Sequence, residues 1–111
     1  MRLNFNRAAL ADALGILTTV VPSRTPKPIL HCVQIVADKK NVHICATDME
    51  VGINYLVSEV QVEEAGEIVV PADRLAAVVR ESTDDVLVLR AEDGTCKIEG
   101  ADSHFTIYGQ E

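Results

Sequence analysis

Side chains suited to catalysis occur in this chain, but they are not spaced as a catalytic set. His31, His43 and His104 fall in three separate strand-like segments, and no Ser or Cys has a recognisable base partner. Neither G-x-G-x-x-G nor the pattern G-x-x-x-x-G-K followed by Ser or Thr occurs, so nucleotide binding has no support. We therefore expect no catalytic residue and no cofactor, in a protein that is not an enzyme.

Metal ligation is the second chemistry to consider. Asp48 and Glu50 could be imagined as a metal pair, but a Thr-Asp-Met-Glu step between strands fits a turn better. Cys32, Cys45 and Cys96 are odd in number and have no close pair, which argues against a disulfide framework and against a zinc site. We interpret the cysteines as small buried hydrophobes and predict no bound metal.

Phosphate binding is the chemistry that the charge distribution leaves open. The chain carries a formal charge of −7, which argues at first sight against nucleic acid. Residues 1–37, however, hold four basic side chains against one acidic side chain, whereas residues 38–111 hold six against sixteen. Such asymmetry would let one surface approach a polyanion while another repels it, although ordinary solvated charge explains the same distribution equally well.

The elements that must position these side chains repeat along the chain. When the sequence is aligned with itself so that Leu3 matches Ile68, the pattern of a strand and a helix recurs. When it is aligned with a second, shorter shift, so that Ile53 matches Ile107, the pattern of three further strands recurs. Because the second shift is shorter than the first, the first copy contains an insertion between its helix and its second strand.

The insertion runs from Thr18 to Leu30 and is rich in proline. It contains two of the basic residues, Arg24 and Lys27, and an inserted loop is a frequent place for function. With 111 residues and 48% hydrophobic composition, the chain is large enough for one domain with its own core. We predict a single domain, 1–111, in which repeat 1 covers about 1–64 and repeat 2 about 65–111.

Two amphipathic helices are predicted. The first begins at Arg7 with Asn6 as its N-cap, and the second begins at Pro71, whose missing N–H suits a helix start. The predicted buried stripes are Leu10, Ala13, Leu14, Leu17 and Val21 in the first helix, and Leu75, Val78 and Val79 in the second. The opposite faces carry Ala8, Ala11, Asp12 and Gly15, and Asp73, Ala77, Arg80 and Glu81. The small residues would let a bulky partner pass close by, or form merely a weakly polar solvent face.

Alternation of apolar and polar residues predicts the strands. They are Arg2–Asn6, Ile29–Val36, Val42–Ala46, one long strand Val51–Val62, Glu67–Val70, Val86–Ala91, Thr95–Glu99 and Ser103–Tyr108. The order is βαβββ twice, so we predict an α+β fold with two helices packed on antiparallel sheet. No segment resembles a signal peptide or a membrane span, and we expect a soluble intracellular protein without membrane contact.

Five local matches give this repeated unit a family resemblance. They are Asn6-Arg7, the stretch 23–30 from Ser to Leu, the Thr-Asp-Met-Glu quartet at 47–50, Val-Pro-Ala at 70–72 and Ser-His-Phe-Thr-Ile at 103–107. In order and spacing, over essentially the whole chain, they resemble the first domain of the bacterial DNA polymerase III beta subunit, the sliding clamp. The resemblance implies a DNA-clamp domain whose later domains are absent from this chain, which would then be a fragment or a single-domain piece.

The resemblance also implies a function. Clamp subunits form a homodimeric ring around duplex DNA, with helices lining the channel, and serve as a non-catalytic processivity factor in cytoplasmic DNA replication at the nucleoid. The implied phosphate contacts, which would not read bases, are Arg24 foremost, then Lys27, Arg7, Arg80 and Arg74. Asp12 and Asp73 depart from the family pattern and would weaken the attraction of the helix face for DNA.

A second implied role belongs to the last strand. In the family, an edge of the first domain pairs head to tail with another subunit, and the polymerase and the clamp loader bind through later domains. The implied interface residues are Phe105 and Ile107 as apolar anchors, with Thr106, His104 and Arg74 beside them. An ordinary alternating strand would instead bury Phe105 and Ile107 in the core of the domain.

A different class of function remains as the alternative. The same fold could serve as a protein-interaction or self-assembling module that does not bind DNA, with the acidic surface as its binding face. The charge asymmetry and the basic inserted loop favour the clamp.

Overall fold

The computed structural model describes residues 1–21, 31–47, 52–57, 59–101 and 103–109. Its elements are β1 (Arg2–Asn6), α1 (Arg7–Leu17), β2 (Cys32–Ala37), β3 (Val42–Thr47), β4 (Gly52–Val57), β5 (Val60–Glu64), β6 (Gly66–Pro71), α2 (Ala72–Glu81), β7 (Val86–Glu92), β8 (Thr95–Glu99) and β9 (His104–Tyr108). The α+β fold class is confirmed, with both helices packed on antiparallel sheets. Neither of these two helices is long and apolar enough to cross a membrane.

Each of the two sheets takes strands from both halves of the chain. The five-stranded sheet has the order β5-β1-β7-β8-β9, and the four-stranded sheet has the order β4-β3-β2-β6. All neighbouring strands are antiparallel. Because β1 pairs with β7 and β2 pairs with β6, neither half of the chain could complete its sheet alone.

The strand registers obey the two shifts found in the sequence. Leu3 lies opposite Leu89 in the β1–β7 pair. By the first shift, Ile68 in the second copy is the equivalent of Leu3 in the first. By the second shift, Ile35 in the first copy is the equivalent of Leu89 in the second. Ile68 and Ile35 lie opposite each other in the β2–β6 pair. The same pairing therefore occurs twice, once in each sheet.

The residues of the last strand in the two copies are not related by the second shift. Ile107 lies opposite Cys96, and the counterpart of Cys96 in the first copy is Val42, which lies opposite Val57. Val57 is thus the equivalent of Ile107, and both are buried. The sequence alignment of Ile53 with Ile107 was wrong, because a constant shift cannot follow connections of different length.

The predicted long strand Val51–Val62 is two strands in two different sheets. β4 pairs with β3, whereas β5 pairs with β1. Glu59, between them, has φ 56°, a left-handed conformation that interrupts an extended strand. The sequence contains the signal, because the partly buried apolar positions change from odd numbers up to Val57 to even numbers from Val60 onward.

The first helix begins at Arg7 as predicted, whereas the second begins at Ala72, one residue after the predicted start, because Pro71 is the last residue of β6 and the N-cap of α2. The Asn6 side-chain oxygen accepts a hydrogen bond from the Ala9 N–H at 3.0 Å, so the predicted N-cap is confirmed. The first helix ends at Leu17 and not at Val21, since 3₁₀-type bonds take over at Thr19 N to Ile16 O and Val20 N to Leu17 O. Val21 still packs against the core.

The core lies where the helices meet the inward faces of the two sheets. α1 contacts β1, β3 and β4, and α2 contacts β2, β6 and β9, so each helix bridges the sheets. Leu10, Leu14, Leu17, Leu75 and Val79 are buried as predicted, whereas Val78 is only half-buried.

Candidate nucleic-acid and subunit interfaces

The two helices lie side by side and leave a groove between them. It has a volume of about 300 Å³ and is lined by Ala11, Leu14, Gly15, Thr18, Asp73, Ala76, Val79 and Arg80. Small residues create this groove, and a Cβ added at Gly15 would meet no atom within 4 Å. Of the face predicted to point outward on α1, Ala8, Asp12 and Gly15 are exposed, but Ala11 is partly buried against the core.

The exposed charges on this helix pair are of both signs, with one more acidic than basic side chain. Arg74 and Arg80 are exposed on α2, where Asp73 and Glu81 are exposed as well, and Asp12 is exposed on α1. Asp73 Oδ1 accepts a hydrogen bond from the Arg74 backbone N–H at 2.8 Å, in the first turn of the helix, where a carboxylate is favoured. Arg80 lies in the last turn, where a cation is favoured. The helices therefore place both signs of charge where a polyanion would approach.

Arg7 differs from Arg74 and Arg80, the other predicted phosphate contacts among the residues that the structure describes. It is half-buried at the start of α1, and its Nε donates a hydrogen bond to the Asp84 carbonyl oxygen at 2.8 Å. Its backbone N–H donates to the Asp85 carbonyl oxygen at 2.9 Å. The guanidinium is therefore already engaged within the chain.

Most of the inserted segment, residues 22–30, falls outside the described residues. Arg24 and Lys27 both lie in the segment 22–30, and Asp48 and Glu50 lie in the segment 48–51. Their predicted roles, as phosphate contacts and as parts of a turn, stay predictions. Within the described ranges, no group of three or more His, Cys, Asp or Glu residues is arranged to hold a metal ion.

Strand β9 forms one edge of the five-stranded sheet. Gly109 N–H donates to the Gly94 carbonyl oxygen, in continuation of the β8–β9 pairing. Because hydrogen-bonding direction alternates along an antiparallel strand, the N–H and C=O groups of Phe105 and Ile107 point toward β8. Those of His104, Thr106 and Tyr108 point toward the open edge. This edge can therefore accept another strand.

The side chains of β9 follow the same alternation. His104, Thr106 and Tyr108 are exposed, and Phe105 is half-buried against the core. Ile107 is only 3% exposed and packs in the core of this domain, so Phe105 is the more exposed of the two predicted apolar anchors. Tyr108, 73% exposed, is the large apolar side chain that sequence reasoning missed, although it occupies the outward phase of the strand.

The cysteines behave largely as predicted. Cys32 and Cys96 are buried, while Cys45 is half-buried. Burial raises the pKa of the Cys96 thiol to about 12. Burial also raises the pKa values of Cys32 and Cys45, and in Cys32 the negative charge of Asp73 adds to this effect. All three thiols are therefore held in the protonated, poorly nucleophilic form.

The match to a known family covers the whole chain. The family model for the DNA polymerase III beta subunit, N-terminal domain, matches residues 1–111. The chain belongs to this family. The family resemblance seen in the local sequence matches is thereby confirmed.

Relatives with this domain are much longer than the chain. The beta sliding clamp of Pseudomonas aeruginosa is 32% identical in an alignment 111 positions long that covers 96% of this chain and 29% of the relative. The beta sliding clamp of Caulobacter vibrioides is 33% identical in an alignment 112 positions long that covers 96% of this chain and 29% of the relative. Among solved structures, pol III beta of Caulobacter crescentus has a TM-score of 0.92 at 30% identity, covering 100% of this chain and 30% of that one. The chain thus spans about 30% of the length of these relatives.

Proposed function

We propose that this chain is the N-terminal domain of a ring-shaped sliding clamp that encircles duplex DNA and acts as a processivity factor for the replicative polymerase. The observation that carries the proposal is the family match over residues 1–111. A ring retains DNA by topology, so its inner surface needs only weak phosphate contacts and no base readout.

The face formed by α1 and α2 is the proposed DNA-facing surface. Three of the residues that line its groove, Ala11, Gly15 and Ala76, are small, so the backbone of a duplex could approach the helices closely there. Arg74 and Arg80 supply exposed cations there, Arg24 and Lys27 add two more from the inserted loop, and Arg7 adds its charge at the start of α1. Asp12 and Asp73 oppose them, which keeps the attraction weak and suits sliding.

The open edge of β9 is the proposed contact with another clamp subunit, head to tail. Backbone groups of His104, Thr106 and Tyr108 point toward this edge, and strand addition would pair them. The exposed side chain of Tyr108 and the exposed part of Phe105 supply apolar area, and Arg74 lies on α2, a helix that contacts β9.

The proposed protein is a non-catalytic accessory subunit. Its polymerase and clamp loader would bind through parts of the relatives that this chain does not span. It would act in the cytoplasm, on the nucleoid.

A chimaera tests the encirclement directly. Residues 1–111 would replace the matching segment of the Pseudomonas aeruginosa beta sliding clamp, and the protein would be loaded on nicked circular DNA. We expect it to elute with the DNA in gel filtration and to be released when the circle is cut once, because a ring slides off a free end. An intact dimeric chimaera that binds linear and circular DNA equally would contradict the proposal and favour a module without encirclement.

A further inference from the structure

Arg7 lies where three segments of the chain meet. It is the first residue of α1, and its Nε and backbone N–H donate to the carbonyl oxygens of Asp84 and Asp85 at 2.8 and 2.9 Å. Those two residues belong to the connection between α2 and β7. Asp84 is held further by its own N–H, which donates to the hydroxyl oxygen of the buried Ser82 at 3.4 Å.

Asp84 continues the chain of hydrogen bonds toward β9. The Ser103 hydroxyl donates to Asp84 Oδ2 at 3.3 Å, and Ser103 is the residue directly before β9. The Ser103 carbonyl oxygen in turn accepts the Gly100 N–H at 3.0 Å, which closes the turn between β8 and β9. Arg7 and the residue that leads into the edge strand are therefore linked through a single intermediate residue.

Gly100 is adapted to this arrangement. A Cβ at this position would overlap Asp84 Oδ2 and would lie 2.7 Å from Ser103 Oγ. Gly100 has an ordinary negative or extended φ, so the absence of a side chain serves the close approach of the carboxylate and not the backbone conformation. The approach of Asp84 to Ser103 depends on that open space.

We propose that Arg7 is a positioning residue for the edge strand β9 and not primarily a phosphate contact. By fixing Asp84, it fixes the hydroxyl partner of Ser103 and so the point at which β9 begins. The opposite end of β9 is held by the Gly109 N–H on the Gly94 carbonyl oxygen. The role of β9 as a subunit interface rests on the proposed function, but the positioning role does not.

The physical reason is that β9 has a strand neighbour on one side only. An edge strand loses order more easily than a central strand, because half of its backbone groups are not held in a ladder. Anchors at its two ends restrict that motion. A partner strand can then add to an edge that is already extended, and less conformational entropy is lost on binding.

Hydrogen exchange measured by NMR on the 111-residue chain tests the positioning role. The variants are Arg7→Ala, Gly100→Ala and Ser103→Ala, and the probes are the amides of Phe105 and Ile107 in β9 against those of Val33 and Ile35 in central β2. We expect exchange in β9 to rise about tenfold, with β2 changed much less, since one or two hydrogen bonds are lost locally. Ser103→Thr keeps the hydroxyl and should behave as the unsubstituted chain does.

Arg2→Ala is the charge-matched control, because Arg2 is an exposed arginine paired with Glu63 on the far side of the same sheet. It should leave β9 unchanged. Unchanged exchange in β9, or an equal rise in β2 and β9, would overturn the positioning role. If Arg7→Ala fails to fold, Arg7→Lys decides by the same criterion, because it keeps the charge and removes the Nε donor to the Asp84 carbonyl oxygen.

A second measurement separates this inference from the proposed function. Dimerisation of the chimaera would be compared with and without Ser103→Ala by analytical ultracentrifugation. Weaker dimerisation together with faster β9 exchange supports both proposals. Faster exchange with unchanged dimerisation overturns the interface at β9 and leaves the positioning role standing.

Discussion

The arginines of this chain differ in what already holds them. Arg7 is engaged by a backbone carbonyl, Arg2 is paired with Glu63 at 2.7 Å, and Arg90 lies 3.9 Å from Glu99. Arg74 and Arg80 are exposed on a helix that also exposes Asp73. Because the exposed charges of the helix pair include three acidic and two basic side chains, we expect Arg24 and Lys27 to decide how strongly the proposed DNA-facing surface attracts a phosphate.

Arg24→Ala is therefore expected to weaken DNA association. Proline fixes the backbone φ angle, so we expect the prolines near Arg24 in the sequence to reduce the entropy that is lost when the guanidinium meets a phosphate. In the chimaeric ring, binding at moderate salt should fall alike for all DNA sequences, and the salt slope should decrease by about 1. Fluorescence anisotropy over a salt series measures both. Arg90→Ala is the control, since it removes the same charge from a strand. A large loss of thermal stability with unchanged DNA binding would mean that Arg24 is structural.

Cys96 should resist thiol reagents as long as the chain is folded. With a pKa raised to about 12 by burial, the thiolate fraction at pH 8 is on the order of one in ten thousand. With Ellman's reagent, half-buried Cys45 should react first, and Cys96 should react only at the rate of unfolding. Mass spectrometry of partly labelled protein identifies the order. Rapid labelling of Cys96 in native buffer would contradict its burial.

The helices and the edge strand carry the proposed functions through different kinds of stabilisation. α1 and α2 are held by apolar stripes that reach both sheets, so their outer faces are presented rigidly. β9 is held by one ladder and its end contacts, which leaves it able to pair again. A rigid surface suits repeated weak contacts with a moving duplex, and an open edge suits assembly.

Leu14→Ala should destabilise the chain by about 2–5 kcal/mol. Leu14 is 2% exposed beneath the α1–α2 groove, and truncation leaves a cavity that the flanking sheets cannot fill. Ile16→Ala on the same helix is the matched control, because Ile16 is 46% exposed and should change stability by about 0.5 kcal/mol or less. Urea unfolding followed by circular dichroism measures both. Equal effects of the two changes would show that α1 is not packed as described.

Thr106→Pro should reduce self-association of the isolated chain. The Thr106 N–H points toward the open edge, so proline removes one edge donor without removing a bond to β8. Thr106→Ala retains the N–H and should associate as the unsubstituted chain does. Light scattering over a concentration series reports the difference. Phe105→Lys should also reduce self-association, but it would disturb the core as well, because Phe105 packs against it. If the unsubstituted chain, Thr106→Pro and Thr106→Ala all stay monomeric at high concentration, the edge does not drive association.

The charge of the complete chain sets its behaviour toward DNA. A net charge of −7 opposes a polyanion, and the proposed DNA-facing surface would have to act against that repulsion. One domain offers few phosphate contacts. Topology must then supply the retention that affinity does not.

The isolated 111-residue chain should bind duplex DNA feebly. Binding should weaken steeply between about 50 and 200 mM salt and should not distinguish DNA sequences, because it depends on counterion release. Anisotropy with two unrelated duplexes of equal length provides the test. Tight, salt-insensitive and sequence-specific binding would be incompatible with a clamp domain.

Local pattern was enough for much of this protein. Helix spacing identified most of the buried stripes, Asn6 indicated its cap, and two shifts of the sequence identified equivalent strands, which the structure then pairs alike in the two sheets. These features depend on neighbours within one turn or one strand, so composition and period specify them. The family resemblance came from the same short segments.

Features that depend on contacts between distant segments could be determined only from the tertiary structure. The segment that looks like one alternating strand in the sequence forms β4 and β5, which lie in different sheets. The connections before the last strand differ in length between the two copies, so the residue equivalent to Ile107 is Val57 and not Ile53. Arg7 looks like a surface cation until Asp84, 77 residues away, supplies its carbonyl oxygen. Alternation along a strand cannot say which sheet receives the strand, and charge alone cannot say which partner lies beside a side chain. Those choices depend on long-range pairing and packing, which bring residues together irrespective of their spacing in sequence.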